Sequence, residues 1–192
     1  MTELKLSRKQ GMETMGTAIG GYAPDFELPG VDSQVHHLIR YLENDQAIGV
    51  VFMCNHCPYV RLYLDRLKQI QTEFQNQKFT LIGINPNDAE QFPEDSFDNM
   101  KRFAADHQLN FPYLRDVTQD VAQSFGVLKT PHVFLLDRAG VVCYQGAIDD
   151  NANNPAAVQV NYFRDAIHQV LAGDKVACPT TDPIGCSVKW RR

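Results

Sequence analysis

Long apolar runs are missing from this chain. None of its 192 residues lies in a stretch approaching the roughly 20 apolar residues that a membrane-spanning helix needs. The opening Met1-Thr2-Glu3-Leu4-Lys5-Leu6 holds no continuous apolar h-region, so no secretory signal is expected and a cytoplasmic location follows by default. A Lys/Arg stripe with interleaved aromatics is also absent. With a formal charge of -5, this argues against a nucleic-acid binder. Cysteine is scarce and odd in number: Cys54, Cys57, Cys143, Cys178 and Cys186 are all there is. Five thiols in a chain of this size do not make a stapled secreted scaffold. There is no internal repeat and no low-complexity segment. An apolar content of 44% and a charged content of 21% describe an ordinary globular protein, large enough for one sizeable domain and short for two.

Apolar periodicity divides the chain. Residues 1–19 carry no clear period and read as a loosely held arm, 20–173 as one domain and 174–192 as a tail. Ala23-Pro24-Asp25-Phe26-Glu27-Leu28 alternates and stops at Pro29-Gly30, with Val35-His36-His37-Leu38 as its hairpin partner. Ile48-Gly49-Val50-Val51-Phe52-Met53 is a compact run of strand length. Val60, Tyr63, Leu64, Leu67, Ile70 and Phe74 then form one helical face. Phe79–Ile84 is a second aliphatic run, and strand, helix, strand in that order make a βαβ unit with a parallel pair. A helix is expected at about 96–107. A shorter one is expected over 116–125, with Val117, Val121 and Phe125 on one face. Residues 133–136 and 141–144 flank Asp137-Arg138-Ala139-Gly140 as a hairpin. Asn154-Pro155 reads as the cap and first position of a last helix. That helix buries Val160, Phe163, Ile167, Val170 and Leu171 and ends at Gly173.

The chemistry concentrates at Cys54-Asn55-His56-Cys57, directly after the first apolar run. Two cysteines at this spacing suit a disulfide that opens and closes without moving the fold. With a helix following, Cys54 is expected at a helix N-terminus, where backbone N–H groups and the helix dipole stabilise a thiolate. His56 beside it pushes the same way. A shift of about two pKa units would favour the thiolate by roughly 2.7 kcal/mol and make the pair a better oxidant. Cys54, the more exposed of such a pair, is the expected nucleophile, and Cys57 is expected to resolve the mixed disulfide. Cys143 reads as a small core residue. Asp25, Glu27, Asp88 and Glu94 read as solvated carboxylates, and His36, His37 and His132 as strand-end histidines.

This order of elements, with the dithiol opening the first long helix and Thr130-Pro131 before the hairpin, resembles the thioredoxin superfamily. The segment Ala23–Leu28 is similar to the entry of the peroxiredoxin and TlpA-like branches. Phe52–Val60, Asn85-Pro86-Asn87-Asp88 and Gly185-Cys186-Ser187-Val188-Lys189-Trp190 are similar to a peroxiredoxin-like group within it. The resemblance implies an α/β thioredoxin-like fold, with a mixed central sheet flanked by helices, an N-terminal extension and a C-terminal tail. It also implies a cis Thr130-Pro131 bond facing the dithiol, where these two residues bind an extended substrate. The chain departs from thioredoxin by carrying Met53, Asn55 and His56 where Trp, Gly and Pro are usual. It departs from typical peroxiredoxins by carrying Val51 where a Thr or Ser hydroxyl stands.

The function expected is a thiol–disulfide oxidoreductase acting on protein or small-molecule disulfides and served by an electron donor, with a pair more oxidising than thioredoxin's. It needs no cofactor and no metal. One alternative is a thiol peroxidase, in which Cys54 passes through a sulfenate. Another is a module in which Cys54, Cys57, Cys178 and Cys186, with His56, collect zinc or copper(I). Cys178 and Cys186 are a candidate second redox pair, a staple for the tail, or two unrelated thiols.

Overall fold

The computed structural model describes residues 16–191, so most of the arm over 1–19 lies outside the described residues. The first elements are β1 (Glu27–Pro29) and β2 (Val35–His37), an antiparallel hairpin with Leu28 opposite His36. The chain runs straight on into α1 (Leu38–Asn44), a helix not expected from the sequence; only Leu38 of it is buried, too little to give a period.

β3 (Ala47–Phe52) is buried at every position. It lies at the centre of a five-stranded sheet, which is why it reads as an unbroken apolar run instead of alternating. α2 (Pro58–Phe74) starts on Pro58, where a missing N–H costs nothing, and buries the face the periodicity marked. β4 (Phe79–Asn85) returns parallel to β3, with Ala47 opposite Phe79. α3 (Phe97–Asp106) is capped by Ser96, whose side chain accepts from the Asn99 N–H. β5 (Tyr113–Arg115) adds a short parallel edge strand that was not expected. α4 (Asp120–Phe125) is shorter than the expected 116–125. Asp116 stays outside it and accepts the Ala122 N–H, which leaves Val117 exposed.

β6 (Lys129–Thr130) leads through a cis Thr130–Pro131 bond into β7 (His132–Asp137), which pairs antiparallel with β3 on one side and β8 (Val142–Gly146) on the other. Asp137 accepts the Ala139 and Val141 N–H groups in that turn, and Gly140 takes a φ of +79°. The expected start of the last helix is corrected. Asn154 does cap Ala156, but only a single 3-10 turn follows, Pro155–Ala157. α5 begins later, at Tyr162, and runs to Ala172 before Gly173; Val160 is exposed, and Phe163, Ala166 and Ile167 are buried.

The tail returns to the domain. β9 (Cys186–Ser187) pairs antiparallel with β6, with Cys186 opposite Thr130. Thr181 bonds Gln145, Tyr144 and Ala147, and Lys189 bonds Asn87. Sheet order is β5-β4-β3-β7-β8. α2, α3 and α5 cover one face of the sheet, and α1 and α4 the other. On the second face Phe52, Phe125 and Phe134 pack ring to ring, with centroids 5.0 to 5.8 Å apart. No helix among the described residues is long and apolar enough to cross a membrane.

Candidate active site

The site forms where β3 ends and α2 begins. β3 stops at Phe52, the chain turns through Cys54–His56, and Cys57 is the residue immediately before α2. The helix N-terminus therefore belongs to Cys57, and the expectation that Cys54 occupies it is corrected. Neither sulfur is more open than the other, with Cys54 1% and Cys57 0% exposed, so exposure does not separate their roles.

Thr130 stands across from both. Its Oγ1 lies 3.4 Å from Cys54 Sγ, and its carbonyl oxygen lies 3.2 Å from Cys57 Sγ. The cis bond to Pro131 follows immediately. Cys54, Cys57, His56, Thr130 and Pro131, expected from the sequence at one site, lie at the same end of the sheet.

Proton sharing sets the charge of the pair. The hydrogen bond from Cys54 lowers the Cys57 thiol to about 4, against the opposing cost of its burial. The Cys186 thiol and the Val60 and Cys186 amides add to the lowering. The Thr130 carbonyl, which only accepts, receives from Cys57 Sγ and opposes that lowering. Cys54 moves the opposite way: the bond to Cys57, burial and the nearby Asp95 charge all raise it. These directions favour Cys57 as the more acidic thiol of the pair, whereas the sequence reading favoured Cys54.

His56 is turned toward Asp95 and not toward a sulfur, its Nδ1 2.6 Å from Asp95 Oδ2, and its ring stacks on Phe92 at 5.7 Å. Asp95 is fully buried and was missed in the sequence. Its Oδ1 accepts the Asn55 N–H at 2.7 Å, and its Oδ2 accepts Asn87 Nδ2 at 2.8 Å. Asn55 Oδ1 in turn accepts from Tyr113 OH at 2.9 Å. This network ties the dithiol turn to β4, β5 and the 93–95 turn, and it fixes where Cys54 points. Its only sequence signal is the Asn85-Pro86-Asn87-Asp88 segment, which the resemblance picked out. Asp88, read as solvated, is buried and accepts from Glu90 and Gln91.

Cys186 is brought against the dithiol, its Sγ 2.8 Å from Cys57 Sγ. Cys178 is exposed and contacts the Thr180 carbonyl, so the structure gathers Cys54, Cys57 and Cys186 and leaves Cys178 apart. The five-donor set of the metal reading is therefore not assembled. Cys54, His56 and Asp95 do place donor atoms within 4.8 Å of one another, but Asp95 is already taken up by the asparagines and His56.

A cysteine pair at the mouth of the helix that follows the central strand, faced by a cis-proline peptide, defines a thioredoxin-like redox protein. The chain belongs to the AhpC/TSA family, whose family model matches residues 19–145. It is 37% identical to an uncharacterised conserved protein of Geobacillus kaustophilus, over 91% of this chain and 93% of that one, with a TM-score of 0.85. It is 25% identical over 130 residues to the thiol-disulfide oxidoreductase ResA of Geobacillus thermodenitrificans (strain NG80-2), which is 68% of this chain and 70% of that protein. The thioredoxin domain of a thiol-disulfide oxidoreductase of Bacteroides vulgatus shares the fold, with a TM-score of 0.57 and 19% identity over 66% of this chain and 86% of that one. The thioredoxin-like α/β fold expected from the sequence is the fold observed.

Proposed function

We propose that this chain is a thiol–disulfide oxidoreductase whose working pair is Cys54 and Cys57, acting on disulfides of proteins or small molecules. The observation that supports it most is the geometry of the pair: Cys57 sits as the N-cap of α2, with Cys54 three residues before it and Thr130 facing both sulfurs. In this reading Cys54 attacks one sulfur of the substrate disulfide and passes its proton to the Cys57 thiolate. A mixed disulfide forms and one substrate thiolate leaves. That thiolate takes the proton back from Cys57, whose sulfur then attacks Cys54 and expels the second substrate thiolate. The substrate gains two electrons and the enzyme holds a Cys54–Cys57 disulfide. Cys54 is assigned the attack because Cys57 is covered by the Cys186 sulfur, 2.8 Å away. A low-pKa Cys57 stabilises the reduced form, which makes the pair an oxidising one.

The test is turnover of insulin disulfides in the presence of dithiothreitol, together with Cys57→Ser as a trap. The expected result is reduction by the parent chain and a stable mixed disulfide on Cys54 of the variant. No turnover and no trapped adduct would refute the reading.

A further inference from the structure

The working pair is buried, with Cys54 1% and Cys57 0% exposed, whereas Cys186 is half-buried and reaches solvent. Cys186 Sγ lies 2.8 Å from Cys57 Sγ, in direct contact though longer than the roughly 2.05 Å of a disulfide bond. The contact is built by backbone and not by a chance side-chain rotamer. β9 pairs antiparallel with β6, which sets Cys186 directly opposite Thr130, the residue whose carbonyl contacts Cys57. Gly185 permits this approach, because a Cβ there would fall on the Thr130 carbonyl. Lys129 Nζ donates to the Pro183 carbonyl before the cysteine, and Val188 N–H bonds the Leu128 carbonyl and Lys189 N–H bonds Asn87 Oδ1 after it, so the tail is held on both sides of the cysteine. The edge expected to receive an extended substrate at Thr130-Pro131 is thus already occupied by the chain's own tail, which places a sulfur against Cys57.

We propose that Cys186 is a third redox thiol of this site: it takes Cys57 out of the Cys54–Cys57 disulfide and carries the oxidation from the buried pair to the surface. This rests on the dithiol reading above. Cys186 gives up its proton and its sulfur attacks Cys57 Sγ. The Cys57–Cys186 bond forms as the Cys54–Cys57 bond breaks, and the electron pair of the broken bond stays on Cys54, which takes up the proton. One disulfide and one thiol stand on each side, so the exchange needs no outside oxidant; the disulfide itself comes from the substrate that Cys54 and Cys57 reduce. An external dithiol donor then attacks at Cys186, the accessible sulfur. Two electrons and two protons pass from the donor to the pair Cys57 and Cys186, and the donor leaves as a disulfide.

The test maps disulfides in the full-length chain. Reduced protein is treated with oxidised glutathione, quenched with N-ethylmaleimide, digested and analysed by mass spectrometry. The parent chain is expected to yield both Cys54–Cys57 and Cys57–Cys186 peptides. Cys54→Ser is expected to yield Cys57–Cys186 alone, and Cys186→Ser to yield Cys54–Cys57 alone. Gly185→Ala, which pushes β9 off β6, is expected to lose the Cys57–Cys186 peptide and keep Cys54–Cys57. If Cys186 is fully alkylated in the parent chain and in Cys54→Ser while Cys54–Cys57 forms and insulin is reduced, the third thiol falls and the dithiol stands. If neither disulfide forms and insulin is not reduced, both fall.

Discussion

Replacing Asp95 with asparagine keeps the shape of a fully buried side chain and removes one charge and one acceptor. Asp95 Oδ1 receives the Asn55 N–H at 2.7 Å, and Oδ2 receives Asn87 Nδ2 at 2.8 Å and lies 2.6 Å from His56 Nδ1. An amide offers one acceptor oxygen, so its NH2 must face either the Asn55 or the Asn87 donor. A buried donor left unpaired costs about 1–3 kcal/mol, so a destabilisation of about 1–3 kcal/mol is expected. The same change acts on chemistry. The Asp95 charge raises Cys54, so Asp95→Asn lowers it and Cys54 becomes reactive at a lower pH. Urea unfolding of the reduced protein measures the first effect. Alkylation of Cys54 against pH, read by mass, measures the second. A variant within about 0.5 kcal/mol of the parent, with an unmoved Cys54 alkylation profile, would refute the assignment of Asp95 as the group that positions and charges this turn.

His132 gives a pH-dependent stability. Burial, with Lys129 adding to it, lowers its imidazole from 6.5 to about 4, so between these values the unfolded chain is protonated and the folded chain is not. Stability from this site is full above pH 6.5 and falls by about 3 kcal/mol on the way to pH 4; His132→Leu should flatten that stretch of an acid-unfolding curve, and an unchanged slope would count against it. Arg66→Met strands Asp149, which is held by Arg66 at 2.6 Å and by Tyr63 OH at 3.1 Å, and should cost about 3–5 kcal/mol in thermal or urea unfolding. Val51 is buried in β3, so no hydroxyl stands at the position where typical peroxiredoxins carry one. Stopped-flow oxidation of the reduced chain by hydrogen peroxide should run no faster than that of a free cysteine thiol, and a rate orders of magnitude above that would bring the peroxidase reading forward.

The sheet centre and α2 were legible because burial there is written in side chains. β3 is apolar throughout, and the α2 face repeats at the helical period from Val60 to Phe74. α1 and β5 were not legible, since seven and three residues are too few to carry a period and both are held by neighbours. Asn154-Pro155 misled because the same cap chemistry starts a 3-10 turn as readily as a helix. At the site, the dithiol and Thr130-Pro131 could be read from spacing and resemblance, but which cysteine caps the helix could not. That depends on α2 starting at Pro58, one residue after Cys57. Asp95 sits beside Glu94 in a polar loop, and only the 3-10 turn decides which of the two faces inward. The pairing of Cys186 with Cys57 depends on a two-residue strand created by tertiary contact, which no local pattern encodes.

The most direct test of the account is a redox titration of the full chain against glutathione, with free thiols alkylated and mapped at each point. The account predicts a two-electron transition in which Cys57 loses its thiol together with a neighbouring partner, at a potential above the roughly -270 mV of thioredoxin. Cys54 and Cys57 remaining alkylatable across the whole range would contradict it.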